Sequence, residues 1–119
     1  MTPFGMFMRT VRLEKGLLLK DVAELMEVTS AYLSALEHGK KGVPNAPFVS
    51  ALENRLRLDA KQRDALRRAV RDSSTSLAIP QKANPAVFET AHAFARKLPS
   101  LSDRQLDLIN NILRDKDKR

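Results

Sequence analysis

The stretch from Leu17 to Gly39 constrains this chain most, because it holds two short amphipathic segments only three residues apart. Leu19 to Met26 puts Val22, Leu25 and Met26 on one helical face with the small Ala23 beside them, and Ser30 to His38 turns Leu33 and Leu36 inward. Helices joined by so short a turn cross steeply, and they pack closely only where a small side chain sits at the crossing, as Ala23 does. Val28 plugs the turn from beneath, and the Thr29 hydroxyl caps the second helix. The outward face of that helix is left with Ser30, Ala31, Ser34 and Ala35, small side chains that let the helix come close to the walls of a groove.

The flanking patterns are helical too. Thr2 and Pro3 start a helix that carries Phe4, Phe7, Met8 and Val11 at helical spacing and stops at Gly16. After the loop Gly39-Lys40-Lys41-Gly42-Val43-Pro44, Asn45 caps a fourth helix with Phe48, Val49, Leu52 and Leu56 inward. Asp59 caps a fifth containing Leu66, Ala69 and Val70. The Ser- and Pro-bearing stretch 73–85 breaks the period and reads as a linker, in which Leu77 and Ile79 are candidates for a short strand or for docking on the core. Asn84-Pro85 restarts a helix with Phe88, Ala91, Ala95 and Leu98 on one stripe, stopped by Pro99. Ser102 and Gln105 form a capping-box pattern ahead of Leu106, Ile109 and Leu113, with Leu108 and Ile112 beside them. The expected fold is all-α: a five-helix domain over 1–72, a linker over 73–85 and a helical pair over 86–119.

Composition narrows the function. With 119 residues the chain suits one domain plus a short appendage. It has no cysteine, which excludes disulfides, thiolate metal sites and a cysteine nucleophile, and it fits a cytoplasmic location. His38 and His92 lack a second ligand at metal spacing, so neither a metal nor a cofactor is expected. No run approaches the roughly 20 apolar residues of a membrane span. The four glycines make no phosphate-cradling loop, and no nucleophile–base pair stands out, which argues against an enzyme. A net charge of +7 with pI near 10.1 favours an anionic partner such as nucleic acid.

At Ala23, Val28, Thr29 and Leu36-Glu37-His38-Gly39 the chain resembles the Cro/cI-type helix-turn-helix regulators, also called the xenobiotic-response-element family, and the similarity runs over residues 3–70, including Pro44. The resemblance implies a five-helix, lambda-repressor-like DNA-binding domain whose third helix enters the major groove of double-stranded DNA. By position it implies base-edge roles for Ser30, Ala31 and Ala35 and groove or backbone roles for Tyr32 and Ser34. Thr29, His38, Lys40 and Lys41 take phosphate roles. Glu27 stands where the family usually has Gly, which predicts a strained or differently shaped turn. Leu18 and Leu19 replace polar residues, removing a usual phosphate contact and shifting backbone attraction to Lys20 and Lys40, an attraction that should fall steeply with salt.

Plainer readings stand beside these. Lys40 and Lys41 serve either phosphate or only solvent, and Tyr32 either reaches the groove or covers the helix joint. Arg63, Arg67, Arg68 and Arg71 read first as a solvated face of the fifth helix. The C-terminal stripes, with Phe88, Leu98, Leu106, Ile109 and Leu113, either close a hairpin or join two copies, and the homodimer is preferred because the pair is too small to form its own core. The resulting expectation is a small, dimeric, bacterial-type repressor on a palindromic operator, with its own promoter among the targets. An antitoxin-type protein whose C-terminal helices bind a protein partner is the main alternative, and an architectural DNA binder of little sequence preference is another.

Overall fold

Capping decides where most of the helices begin. The computed structural model of the protein describes residues 1–114 and contains α1 (Pro3–Lys15), α2 (Leu19–Met26), α3 (Ser30–Glu37), α4 (Ala46–Arg55), α5 (Ala60–Asp72), α6 (Pro85–Lys97) and α7 (Asp103–Arg114). Thr2, Thr29, Asn45, Asp59 and Asn84 each accept a hydrogen bond from the backbone amide three residues on. Ser102 and Gln105 bond reciprocally at the start of α7. A cap of this kind contributes about 1 kcal/mol by satisfying an otherwise orphaned donor. Residues 115–119, the end of the expected C-terminal pair, lie outside the described residues.

The described residues form two compact units, Met1–Leu77 and a second from Ala78 onward. In the first, α1 packs on α3 and α5, α2 packs on α3 and α4, and α4 packs on α5. Phe4, Met8 and Val11 of α1 meet Val22, Ala23 and Met26 of α2, Leu33 and Leu36 of α3, Val49, Leu52 and Leu56 around α4, and then Leu58 and Leu66, all buried. Fully burying one such side chain stabilises by about 2 kcal/mol, so this continuous cluster is what holds α3 in place.

Two inward positions differ from the sequence expectation. Leu25 is 42% exposed, because Val22, Ala23 and Met26 fill the packed side of α2 and Leu25 lies about 100° round the helix from Met26. Leu77 is 80% exposed and joins no strand, and there is no strand among the described residues. The residue that does dock from this stretch is Ser73: its buried hydroxyl accepts from the Phe4 amide (2.9 Å) and donates to the Ala69 carbonyl (2.7 Å). It ties the end of α5 to the first turn of α1.

The second unit contains α6, a 3-10 turn at Leu98–Ser100, and α7. None of these three elements has a buried residue. Phe88, Leu98, Leu106, Leu108, Ile112 and Leu113 are exposed, and Ile109 is half-buried. Among the described residues no helix is long and apolar enough to cross a membrane.

Candidate nucleic-acid interface

The α2–α3 turn takes its shape from a backbone motif. Glu27 adopts the left-handed conformation (φ 58°, ψ 40°) just past α2, and the Val28 amide donates to the Ala23 carbonyl at 3.0 Å, closing the helix end as a glycine would. The Glu-for-Gly departure therefore leaves an ordinary helix-ending turn, at a local cost of about 1 kcal/mol for a side chain in that region. Arg55 braces the same turn from α4. Its Nη1 donates to the Leu25 carbonyl (2.8 Å) and lies 3.8 Å from the Glu27 carboxylate. At the start of α2, Leu18 provides no side-chain cap, and the Asp21 carboxylate accepts from the Leu18 amide instead (2.8 Å).

The far end of α3 is clamped onto α1. A Cβ built on Gly5 would stand 2.1 Å from the Glu37 carbonyl oxygen, so only glycine permits this approach of the two backbones. The Thr2 hydroxyl donates to that same carbonyl (2.9 Å) and accepts from the Gly5 amide (3.1 Å). Arg12 Nη2 donates to Glu37 Oε1 at 3.1 Å, with the Glu37 side chain only 3% exposed. Burial pushes the Glu37 carboxyl above its ordinary range, and Arg12 pulls it back. Arg12 Nε and Glu37 Oε2 are buried without a protein partner. Removing either residue would leave the other as an uncompensated buried charge, so the pair fixes the orientation of α3 more than it adds stability.

Held in this way, α3 presents Ser30, Ala31 and Tyr32 exposed, with Ser34 and Ala35 half-buried behind them. Tyr32 is 41% exposed, so its ring is not wholly taken up in the helix joint. The Thr29 hydroxyl accepts from the Tyr32 amide (3.0 Å), and the His38 Nδ1–H donates to the Ser34 carbonyl (2.9 Å). That bond leaves Nε2 as the outward nitrogen of His38, which donates to a phosphate only when the ring is doubly protonated. Lys20 on α2 and Lys40 and Lys41 after α3 are all exposed. The loop bearing the latter two is pinned by the Lys40 amide donating to the Ala35 carbonyl (2.9 Å).

Two of the four α5 arginines have structural duties. Glu53 is buried, and Arg67 donates to both of its carboxylate oxygens (2.7 and 2.9 Å) while Arg63 lies 3.7 Å away. The Arg67 hydrogen bonds hold the Glu53 carboxyl below its ordinary range against the effect of burial. Arg71 pairs with Asp72 at 3.7 Å.

Sequence reasoning passed over Gly5, Arg12, Glu37 and Glu53 as positioning residues. Their signal was an acid at an inward register: Glu37 follows Leu33 and Leu36, and Glu53 sits among Val49, Leu52 and Leu56. Such an acid requires a basic partner, but the spacing does not say which one.

A short helix pair joined by a three-residue turn, with Ala23 buried, the second helix clamped to α1 at its far end and its outer face bare of large aliphatic side chains, has the form of a helix-turn-helix. A family model described as a helix-turn-helix domain matches residues 3–66, and the chain belongs to that family, in its Cro/cI-type form. Comparison with curated proteins and with solved structures returns no match.

Proposed function

We propose that this protein is a dimeric, sequence-specific transcriptional repressor of the cytoplasm that seats α3 of each copy in the major groove of a palindromic operator, its own promoter included. The observation that carries the proposal is the exposure of Ser30, Ala31 and Tyr32 on a helix anchored through Gly5, Thr2 and Arg12. Ser30, Ala31 and Ala35 face base edges, with Tyr32 and Ser34 beside them, and Thr29, Lys20, Lys40, Lys41 and protonated His38 meet phosphates. Leu18 and Leu19 offer no polar group to the backbone, so the lysines supply most of the non-specific attraction.

The dimeric half of the proposal rests on α6 and α7, whose apolar side chains are only partly covered in a single chain. Joining two copies through Phe88, Leu98, Leu106, Ile109 and Leu113 would give two-fold symmetry, matching half-sites about 34 Å apart. The same partly covered stripes support a second reading, in which they hold a different protein, as an antitoxin holds its toxin.

The test is selection of binding sites from random duplex DNA, followed by titration of the enriched site at two salt concentrations and by mass measurement of the complex. A palindrome bound by two copies is expected, with the salt slope reduced by about 1 for each of Lys20, Lys40 and Lys41 replaced by Ala. Failure to enrich any site would overturn the repressor reading. Stable co-purification with a small protein, without self-association, would select the second reading.

A further inference from the structure

We infer that α3 discriminates its site chiefly through the 5-methyl groups of thymine, an inference that rests on the proposed seating of α3 in the major groove. Guanine and adenine are read at high contrast by side chains able to make paired hydrogen bonds, namely Arg or Lys to the O6 and N7 of guanine and Asn or Gln to the N7 and N6 of adenine. Ser30–Glu37 contains none of these residue types, and its one charged side chain, Glu37, is buried against Arg12. The polar groups flanking the helix are partly committed as well. The Thr29 hydroxyl oxygen caps α3, and His38 Nδ1 is bound to the Ser34 carbonyl.

What α3 offers a base edge is therefore the Ala31 and Ala35 methyls, the exposed flank of the Tyr32 ring and the single hydroxyls of Ser30, Ser34 and Tyr32, none of them able to make a paired hydrogen bond. A hydroxyl can donate or accept, so it tolerates several bases. An apolar group is more selective, since the thymine methyl is the one apolar feature on the major-groove edge of an unmodified base pair. The small side chains of α3 also let the helix backbone come close enough for its methyls to touch that group. Cytosine methylated at C5 places a methyl at the same point, so this surface would accept it in place of thymine while rejecting plain cytosine.

The experiment uses the full chain and the enriched duplex, with thymine replaced by uracil at the positions under α3 and affinity read by fluorescence anisotropy. Loss of affinity by about fourfold per contacted methyl is expected, the factor for burying one such group. Replacing the same T·A pairs by 5-methylcytosine·G should bind more tightly than replacing them by C·G. Ala31→Gly, confirmed as folded by circular dichroism, should shrink the thymine-to-uracil difference; the duplex substitutions need no protein variant. A specific site bound equally well with thymine and uracil overturns this inference alone. So does a site insensitive to uracil but weakened by 7-deazapurines, which assigns readout to hydrogen bonds. Failure to enrich any site overturns the DNA-binding proposal and this inference together.

Discussion

The N-terminal unit and the C-terminal helices are built from similar materials and end in opposite states. Met1–Leu77 sinks side chains from all five helices into one cluster, with Phe4, Met8, Leu33, Leu52 and Leu66 fully buried. α6 and α7 have apolar stripes of comparable quality and bury no residue. The difference lies in the number of elements available to cover each stripe. Five helices can surround a common centre, whereas two, although about as long as α1 and α5, cannot enclose one, so their stripe residues stay exposed or half-buried. Burial and exposure thus fall in different regions: the first unit packs α3 against a buried core, and the second leaves apolar side chains at the surface.

The largest effects should come from breaking the packed unit where no relaxation is available. Gly5→Ala drives a Cβ into the Glu37 backbone, and Leu33→Ala empties a fully buried site. Each is expected to cost about 3 kcal/mol, measured by thermal or urea unfolding. Leu106→Ala and Leu113→Ala should change the melting of the N-terminal unit by less than about 0.5 kcal/mol while weakening self-association in sedimentation. If these last two destabilise the N-terminal unit as strongly as Leu33→Ala, the contrast between the regions fails.

Next come the buried acids, which respond to pH with opposite signs. Arg12→Met should cost about 3 kcal/mol at neutral pH by stranding the Glu37 carboxylate. The Glu37 carboxyl is raised in the fold, so the stability gained from its protonation is fully present below its ordinary value of 4.5 and is lost as pH rises through the raised value. Lowering the pH towards 4.5 should therefore restore part of what Arg12→Met loses, read as melting temperature against pH. Glu53 is the reverse case. Arg67 holds its carboxyl low, so its contribution is present above 4.5 and is lost as pH falls through the lowered value. Glu53→Gln should accordingly flatten the acid-side fall in melting temperature, and an unchanged slope would show that the Arg67 pair is screened by solvent.

One substitution should give a modest gain. Glu27→Gly removes a side chain from the left-handed region and gives up only the exposed pairing with Arg55, so it should stabilise by about 0.5–1 kcal/mol in urea unfolding. The same change tests how far the turn depends on its brace from α4, since Arg55 still donates to the Leu25 carbonyl.

Local signals account for much of this fold. Thr2, Thr29, Asn45, Asp59, Asn84 and Ser102 all mark helix starts, and Gly16 marks the end of α1, because a cap or a positive φ is decided within one turn of chain. Periodicity places Phe4, Met8, Val22, Leu33, Leu52 and Leu66 inward for the same reason. Leu25 and Leu77 were harder to read. Whether an apolar residue at the rim is covered depends on which neighbours arrive, and what arrives leaves Leu25 42% and Leu77 80% exposed. On α3, the exposure of Ser30 and Ala31 was legible from spacing, but the partial burial of Ser34 and Ala35 and the fixing of the helix by Gly5, Arg12 and Glu37 were not.

By itself, the sequence determined the helices, their capped starts and the tight turn between α2 and α3, since each depends on residues a few positions apart. Only the tertiary structure decided that Arg12 belongs to Glu37 and that Arg67 and Arg63 belong to Glu53. It alone showed that Ser73 closes the domain on Phe4 and that Gly5 lets α1 touch the end of α3. Those pairings span from 10 to 69 positions of chain. A buried charge or a bare backbone needs a partner, and the choice among many candidates is made by which helices come together.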